Sequence, residues 1–162
     1  MKIFLSTDHV GYEFKEKLKI YLSELGLNYE IVDMGAFTYN PSDDYPDFIK
    51  PTAEAVAQNS ESFGIIIGGS GQGEAMCANK TPGIRAAVFY GQEEPDQEID
   101  VSGRKTSDSF EIIKLAREHN DANILSLGMR FISEDEAKFA VELFLSTKFS
   151  SDERHIRRIA KI

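Results

Sequence analysis

Short apolar runs alternate along the chain with segments whose apolar residues recur every three or four positions. Phe14, Leu18, Leu22 and Leu25 follow the helical spacing, whereas Phe63–Ile67 is an uninterrupted apolar run. The first pattern is typical of a helix with one buried face, and the second of a strand covered on both sides. Their alternation predicts an α/β fold, a doubly wound parallel sheet with helices on both faces.

Capping signals help to bound the elements. Gly26 is placed to end the first helix, Pro46 to begin the second, and Ser133 with Glu136 forms a capping-box pattern before the fifth. The predicted strands are Lys2–Thr7, Tyr29–Met34, Phe63–Ile67, Ile84–Tyr90 and Ala122–Leu127. The predicted helices are Gly11–Leu25, Pro46–Asn59, Glu74–Lys80, Thr106–Glu118 and Ser133–Leu145, followed by a basic, helical tail over Ser151–Ile162.

Five strand–helix units on 162 residues predict a single domain, residues 1–162, with right-handed crossovers. The strand orders 3-2-1-4-5 and 2-1-3-4-5 are both common, and periodicity does not choose between them. Gly91–Lys105 is polar, acidic and unpatterned, so we expect a loop there.

Charge and cysteine content narrow the classes of partner. The formal net charge of −9 disfavours general binding to nucleic acid or to an anionic membrane. No apolar run approaches the roughly 18 residues of a membrane span, and the N-terminus does not look like a secretory signal. The single cysteine, Cys77, is typical of a reducing compartment, so we expect a cytoplasmic protein.

The strongest chemical signal is the run Gly68-Gly69-Ser70-Gly71-Gln72-Gly73-Glu74 after the third strand. Ligands of open α/β sheets bind beyond the carboxyl ends of the strands, and such a turn can aim its N–H groups at an anion. Glu74 breaks the dinucleotide fingerprint, and no lysine completes a phosphate-binding P-loop. The turn is therefore either a tight packing turn or an anion site, and Glu74 either a catalytic base or a residue favoured by the helix dipole.

Histidines and arginines supply weaker signals. Asp8 and His9 end the first strand at the favoured ligand edge, and Arg154 and Arg158 share a face of the predicted tail helix. Two guanidinium groups on one face suit a phosphate, although a solvated helix end would show the same pattern. No pair of histidines has convincing zinc-ligand spacing, so we predict no metal.

Several motifs together resemble those of the ribose-5-phosphate isomerase B family, which also contains the galactose-6-phosphate isomerase subunits. They run in order from residue 1 to about 160: Asp8-His9-Val10-Gly11, Asp44-Tyr45-Pro46, Gly68–Glu74, Ala78-Asn79-Lys80, Gly83-Ile84-Arg85-Ala86, Arg117-Glu118-His119-Asn120 and Arg154-His155. The resemblance implies strand order 2-1-3-4-5, a homodimer or a tetramer, and aldose–ketose isomerisation through an enediolate without metal or organic cofactor.

The resemblance also implies residue roles. Glu74 matches the carboxylate base of one branch of the family, because Gly68 stands where another branch has a cysteine base. The other implied roles are the anion hole (Ser70, Gly69, Gly71, Gly73), the ring oxygen (Asp8), ring opening (His119), a hydroxyl contact (Asn120), a ring wall (Tyr45) and the phosphate pocket (His9, Arg130, Arg154, Arg158).

One segment departs from the family pattern. Between Tyr90 and Arg117 the chain is longer by roughly 15–20 residues, and we expect this segment to be a lid or an extension of the pocket. Ribose 5-phosphate is the expected substrate. Allose or galactose 6-phosphate, a tetrose phosphate, and a sugar-phosphate-binding module without activity remain alternatives.

The positions of Glu74 and His119 predict a shared site. Glu74 follows the carboxyl end of the third strand, whereas His119 and Asn120 follow the fourth helix and precede the fifth strand, at the opposite edge of the sheet. A strand of six residues separates the two edges by roughly 20 Å. If both residues act on one sugar, they must come from two copies of the chain.

Overall fold

The computed structural model describes residues 1–162, and the predicted α/β fold is confirmed: a five-stranded parallel sheet with helices on both faces. The strands are β1 (Lys2–Thr7), β2 (Glu30–Asp33), β3 (Phe63–Gly68), β4 (Ala86–Phe89) and β5 (Ile124–Gly128). The helices are α1 (Tyr12–Glu24), α2 (Pro46–Gln58), α3 (Gln72–Ala78), α4 (Glu111–Asn120), α5 (Glu134–Ser146) and α6 (Glu153–Ile159).

Two apolar cores lie on the two faces of the sheet. Ile65 and Ile67 of β3 belong to the larger core, with α1, α4 and α5. Ile66 belongs to the smaller core, with α2 and α3. Since alternate side chains of a strand point to opposite faces, a central strand covered on both faces is apolar at successive positions.

The expected strand order 2-1-3-4-5 is wrong. The observed order is β2-β1-β3-β5-β4, because β5 pairs with β3 on one side and with β4 on the other. All five residues of β5 are buried, whereas three of the four residues of β4 are only half-buried. The more buried strand takes the inner position, and the shorter, more exposed one forms the edge.

The predicted start of α4 at Thr106 is also wrong, because the helix begins at Glu111. The Thr106 hydroxyl accepts from the Asp108 N–H at 3.0 Å, and the Asp108 carboxylate accepts from the Phe110 N–H at 2.9 Å. Such local side-chain bonds replace the helical ladder. The helix also ends at Asn120 instead of Glu118, so His119 lies in its last turn rather than after it.

The remaining bounds differ from the predicted ones by a few residues. The third helix begins at Gln72 instead of Glu74, and the fourth strand is shorter than Ile84–Tyr90 at both ends. The capping box before α5 is confirmed, since the Glu136 N–H donates to the Ser133 hydroxyl at 3.2 Å. Residues 91–105 contain no helix or strand, and no helix is long and apolar enough to cross a membrane.

Candidate active site

The glycine-rich turn carries Glu74 to the carboxyl end of β3. Gly71 precedes α3 with φ of 74°, in the left-handed region that favours glycine. The Ser126 hydroxyl donates to the Gly71 carbonyl oxygen at 2.7 Å and so ties the turn to β5. Glu74 then falls in the first turn of α3, where it is only 5% exposed.

Gly68 provides the space for the Glu74 carboxylate. A Cβ atom at position 68 would lie 1.9 Å from Glu74 Oε1 and 2.1 Å from its Cδ, far inside contact distance. A side chain at position 68 and the observed carboxylate therefore exclude each other. This contact gives a physical reason why a base at position 68 and a base at position 74 would be alternatives.

The surroundings of Glu74 favour proton acceptance. Burial raises the pKa of this carboxyl, its own backbone N–H lowers it, and the charge of Asp8 raises it further, with a raised pKa as the net result. No lysine or arginine pairs with Glu74. Cys77 is half-buried, and burial raises the pKa of its thiol, so it is a poor nucleophile or base at neutral pH.

His9 is held by a carboxylate that the sequence analysis did not single out. Asp43 Oδ1 accepts from His9 Nδ1 at 2.7 Å and from the His9 backbone N–H at 3.1 Å. Asp8 accepts from the Val10 N–H at 2.9 Å and caps the short 3-10 turn that precedes α1. Ligand atoms of Asp8, His9 and Asp43 lie within 4.8 Å of one another, with His9 Nδ1 bonded to Asp43 and 3.9 Å from Asp8 Oδ2.

Two further side chains border the turn. Tyr45 lies against Gly73, where an added Cβ would be 3.0 Å from the ring. The Arg130 guanidinium lies over Gly69, where an added Cβ would be 3.2 Å from Arg130 Cζ. Arg130 forms no ion pair, so its charge is free to meet an anion above the turn. The Ser70 hydroxyl accepts from the Gln72 N–H at 3.3 Å.

Four predicted site residues lie away from the glycine-rich turn, in a cleft of about 340 Å³ between the end of α4 and α6: His119, Asn120, Arg154 and Arg158. The His119 ring stacks on the ring of His155, with centroids 4.2 Å apart and an angle of 14° between the planes. These residues are therefore assembled without any contribution from the glycine-rich turn.

Two guanidinium groups in this cleft, those of Arg154 and Arg158, form no ion pair. Arg154 Nε donates to His155 Nε2 at 3.0 Å, which requires a neutral acceptor on the histidine. Burial, followed by the charges of His119 and Arg154, lowers the pKa of His155 and favours that neutral form. Arg154 Nη1 is buried without a hydrogen-bond partner, and Arg158 forms no ion pair.

Within one copy, the two groups of predicted site residues stay apart. Glu74 lies at the carboxyl end of the sheet, where Gly68 pairs with Gly128. His119 belongs to the helix that leads to the amino end of β5. The five residues of β5 span about 16 Å between these ends.

The comparison with known families adds an independent observation. A family described as Ribose/Galactose Isomerase matches residues 3–98 and 106–162. The chain belongs to the ribose/galactose isomerase family. Within the segment expected to be longer by roughly 15–20 residues, the match leaves out only residues 99–105, so the unmatched part is shorter than expected.

Known relatives are similar to this chain over nearly its whole length. Ribose-5-phosphate isomerase B of Mycolicibacterium paratuberculosis is 36% identical over 159 residues, covering 98% of this chain and 87% of the relative. The structure of ribose-5-phosphate isomerase B from Mycoplasma genitalium with bound ribulose 5-phosphate has a TM-score of 0.83 at 34% identity, covering 99% of this chain and 92% of that one. The enzyme from Clostridium thermocellum has a TM-score of 0.81 at 39% identity, covering 99% and 94%.

Sequence reasoning missed three contributors to the two clusters: Asp43, His155 and the residues around Asp100. Asp43 stands in a polar loop whose pattern does not distinguish a buried carboxylate from a solvated one. His155 was visible among the arginines of the tail, but only the structure shows that it is the buried residue of α6 and that its ring stacks on His119. Nothing in the sequence pattern placed Asp100 near His119, where the structure has it.

Proposed function

We propose that the chain is an aldose–ketose isomerase that interconverts ribose 5-phosphate and ribulose 5-phosphate. The observation that carries this proposal is the buried Glu74 carboxylate, held over Gly68 beside the glycine-rich turn that leads into α3. The names of the relatives and the ribulose 5-phosphate bound in the Mycoplasma genitalium enzyme support this choice of sugar.

The chemistry needs a base and a site for developing charge. Glu74 removes the proton from C2 of the open-chain aldose, and the electron pair forms the enediolate as the carbonyl oxygen gains negative charge. Backbone N–H groups of Gly69, Gly71 and Gly73 and the Ser70 hydroxyl stabilise that oxygen, an effect worth several kcal/mol in comparable sites. The protonated Glu74 then returns the proton to C1, while a proton moves between the two oxygens. A positioned base of this kind typically contributes about 10²–10⁴-fold.

A second copy of the chain completes the site in this proposal. His119 and Asn120 open the ring and contact a hydroxyl group, and Arg154 and Arg158 bind the phosphate. The buried, unpartnered Arg154 Nη1 supports an anionic ligand in that cleft. A twofold homodimer makes two equivalent sites, each joining the carboxyl edge of one copy to the α4–α6 cleft of the other. Phosphate binding remote from the reacting carbons holds the sugar in register.

Proton NMR in D₂O tests the proposed reaction. We expect ribose 5-phosphate to give ribulose 5-phosphate with deuterium at C1 where the proton of Glu74 exchanges with solvent. Allose 6-phosphate, galactose 6-phosphate and erythrose 4-phosphate are compared under the same conditions, with Glu74→Gln as the control for a contaminating enzyme. Binding of ribose 5-phosphate without turnover would identify a binding module instead, and faster turnover of another sugar would reassign the substrate.

A further inference from the structure

The residues that the family match leaves out lie beside the cleft of His119. Three consecutive residues, Ile99, Asp100 and Val101, line that cleft together with Glu98 just before them. We call Glu98–Val101 the insertion wall. The loop leaves β4 at the carboxyl edge of the sheet, but this part of it borders the α4–α6 cleft instead. It therefore adds atoms to the proposed phosphate end of the site.

The insertion wall is a defined turn. Asp100 Oδ1 accepts from the Ser102 N–H at 2.8 Å and from the Ser102 hydroxyl at 2.6 Å. The Ile99 N–H donates to the Arg104 carbonyl oxygen at 2.8 Å, which closes the segment on itself. Gly103 turns the chain with φ of 79°. These bonds bring the two ends of the segment together, so its shape does not depend on the rest of the loop.

One arginine attaches this turn to α4. Arg104 Nη2 lies 3.1 Å from Glu118 Oε2 and 3.1 Å from Glu111 Oε1, and its Nε donates to Asp100 Oδ2 at 3.1 Å. Glu118 directly precedes His119. The position of the insertion wall relative to the His119 ring is therefore fixed by a guanidinium that bridges three carboxylates.

We propose that the insertion wall selects pentose 5-phosphates against hexose 6-phosphates by closing the phosphate end of the sugar site. This inference rests on the proposed function. A hexose 6-phosphate has one more carbon between its phosphate and the reacting carbons, so its phosphate must lie further out when C2 meets Glu74. The insertion wall occupies space next to the arginines, and the Glu98 carboxylate, which forms no ion pair, repels a phosphate displaced toward it.

The expected size of the effect follows from the one-carbon difference. The extra unit is a CHOH group, which is larger than the methylene group that changes kcat/KM by about 10- to 200-fold in a hydrophobic pocket. Removal of the insertion wall is therefore expected to reduce the preference for ribose 5-phosphate over allose 6-phosphate by about tenfold or more. The change is expected mainly in KM for the hexose, because the wall lies away from Glu74.

Two variants test the proposal on the full chain. In the first, two glycines replace residues 98–105, which is feasible because the Ile99–Arg104 bond brings the ends together. In the second, Arg104→Ala releases the insertion wall while keeping every residue of it, and Arg104→Lys is the conservative variant. Arg157→Ala, which removes an exposed arginine with no ion pair, is the matched control.

We expect the kcat/KM ratio of ribose 5-phosphate to allose 6-phosphate to fall in both the deletion and Arg104→Ala, to be partly restored in Arg104→Lys, and to be unchanged in Arg157→Ala. An unchanged ratio in Arg104→Ala and in a folded deletion variant overturns the role of the wall, while wild-type turnover of ribose 5-phosphate leaves the proposed function standing. If the deletion variant does not fold, the ratio of Arg104→Ala decides. Failure of the wild type to isomerise any sugar phosphate overturns the proposed function and this inference with it.

Discussion

Replacing Gly68 with alanine removes the space that the Glu74 carboxylate occupies. The new methyl group would begin 1.9 Å from Glu74 Oε1, and real Cβ contacts essentially never fall below 3.0 Å. The carboxylate must therefore retreat by about 1 Å, a displacement that costs on the order of 10²-fold in rate when it moves a catalytic group. We expect Gly68→Ala to lower kcat for ribose 5-phosphate by about 10²-fold.

Steady-state kinetics with a coupled assay, together with thermal unfolding, measure this effect. Gly91→Ala is the matched control, since Gly91 follows β4 and an added Cβ there meets nothing within 4 Å. In the double variant, Glu74→Gln is expected to cost little beyond Gly68→Ala, because both changes remove the same function. Wild-type kcat in a folded Gly68→Ala variant would refute the assignment of Glu74 as the base at this position.

Three further predictions follow from the charges. Only the ionised Glu74 carboxylate accepts a proton, so its raised pKa predicts that kcat/KM falls with decreasing pH through an apparent pKa above 4.5. A fall of kcat/KM with an apparent pKa at or below 4.5 would contradict this prediction. Arg154→Ala is expected to raise KM by about ten- to a hundredfold, from the roughly 1.5–3 kcal/mol of a charged hydrogen bond, and an unchanged KM would exclude Arg154 from phosphate binding. Lys15→Ala is expected to lower the free energy of unfolding in urea by roughly 3 kcal/mol, because the fully buried Lys15 ammonium pairs with Asp33 at 2.5 Å. A loss below about 1 kcal/mol would show that Lys19 alone is enough to pair the Asp33 carboxylate.

The hydrophobic pattern was enough to predict the fold class, but it was not enough to predict the order of the strands in the sheet. The apolar character of β3 reports that both its faces are covered, which is a local property of the strand. The exchange of β4 and β5 depends on which strand pairs with β3, and that is decided by contacts between distant segments. The late start of α4 depends on the side-chain bonds of Thr106 and Asp108, which compete with a helical pattern that continues through them.

Some parts of the candidate site could be predicted from the sequence, and others could not. Glu74 at the start of a helix after a glycine-rich turn is readable from the sequence, and the structure adds the reason why Gly68 must accompany it. The separation of Glu74 from His119 follows from strand and helix order alone. The insertion wall was not predictable, because its position is set by Arg104 reaching across to carboxylates of α4.

Subunit exchange between two inactive variants tests most directly the central claim that the site is shared by two copies. Glu74→Gln and His119→Ala are mixed in equal amounts, and each mixed dimer then carries one intact site and one doubly altered site. Random exchange makes half the dimers mixed, so activity with ribose 5-phosphate should recover to about a quarter of the wild-type value. Mixed dimers that demonstrably form and stay inactive, or an active monomer, would contradict the account.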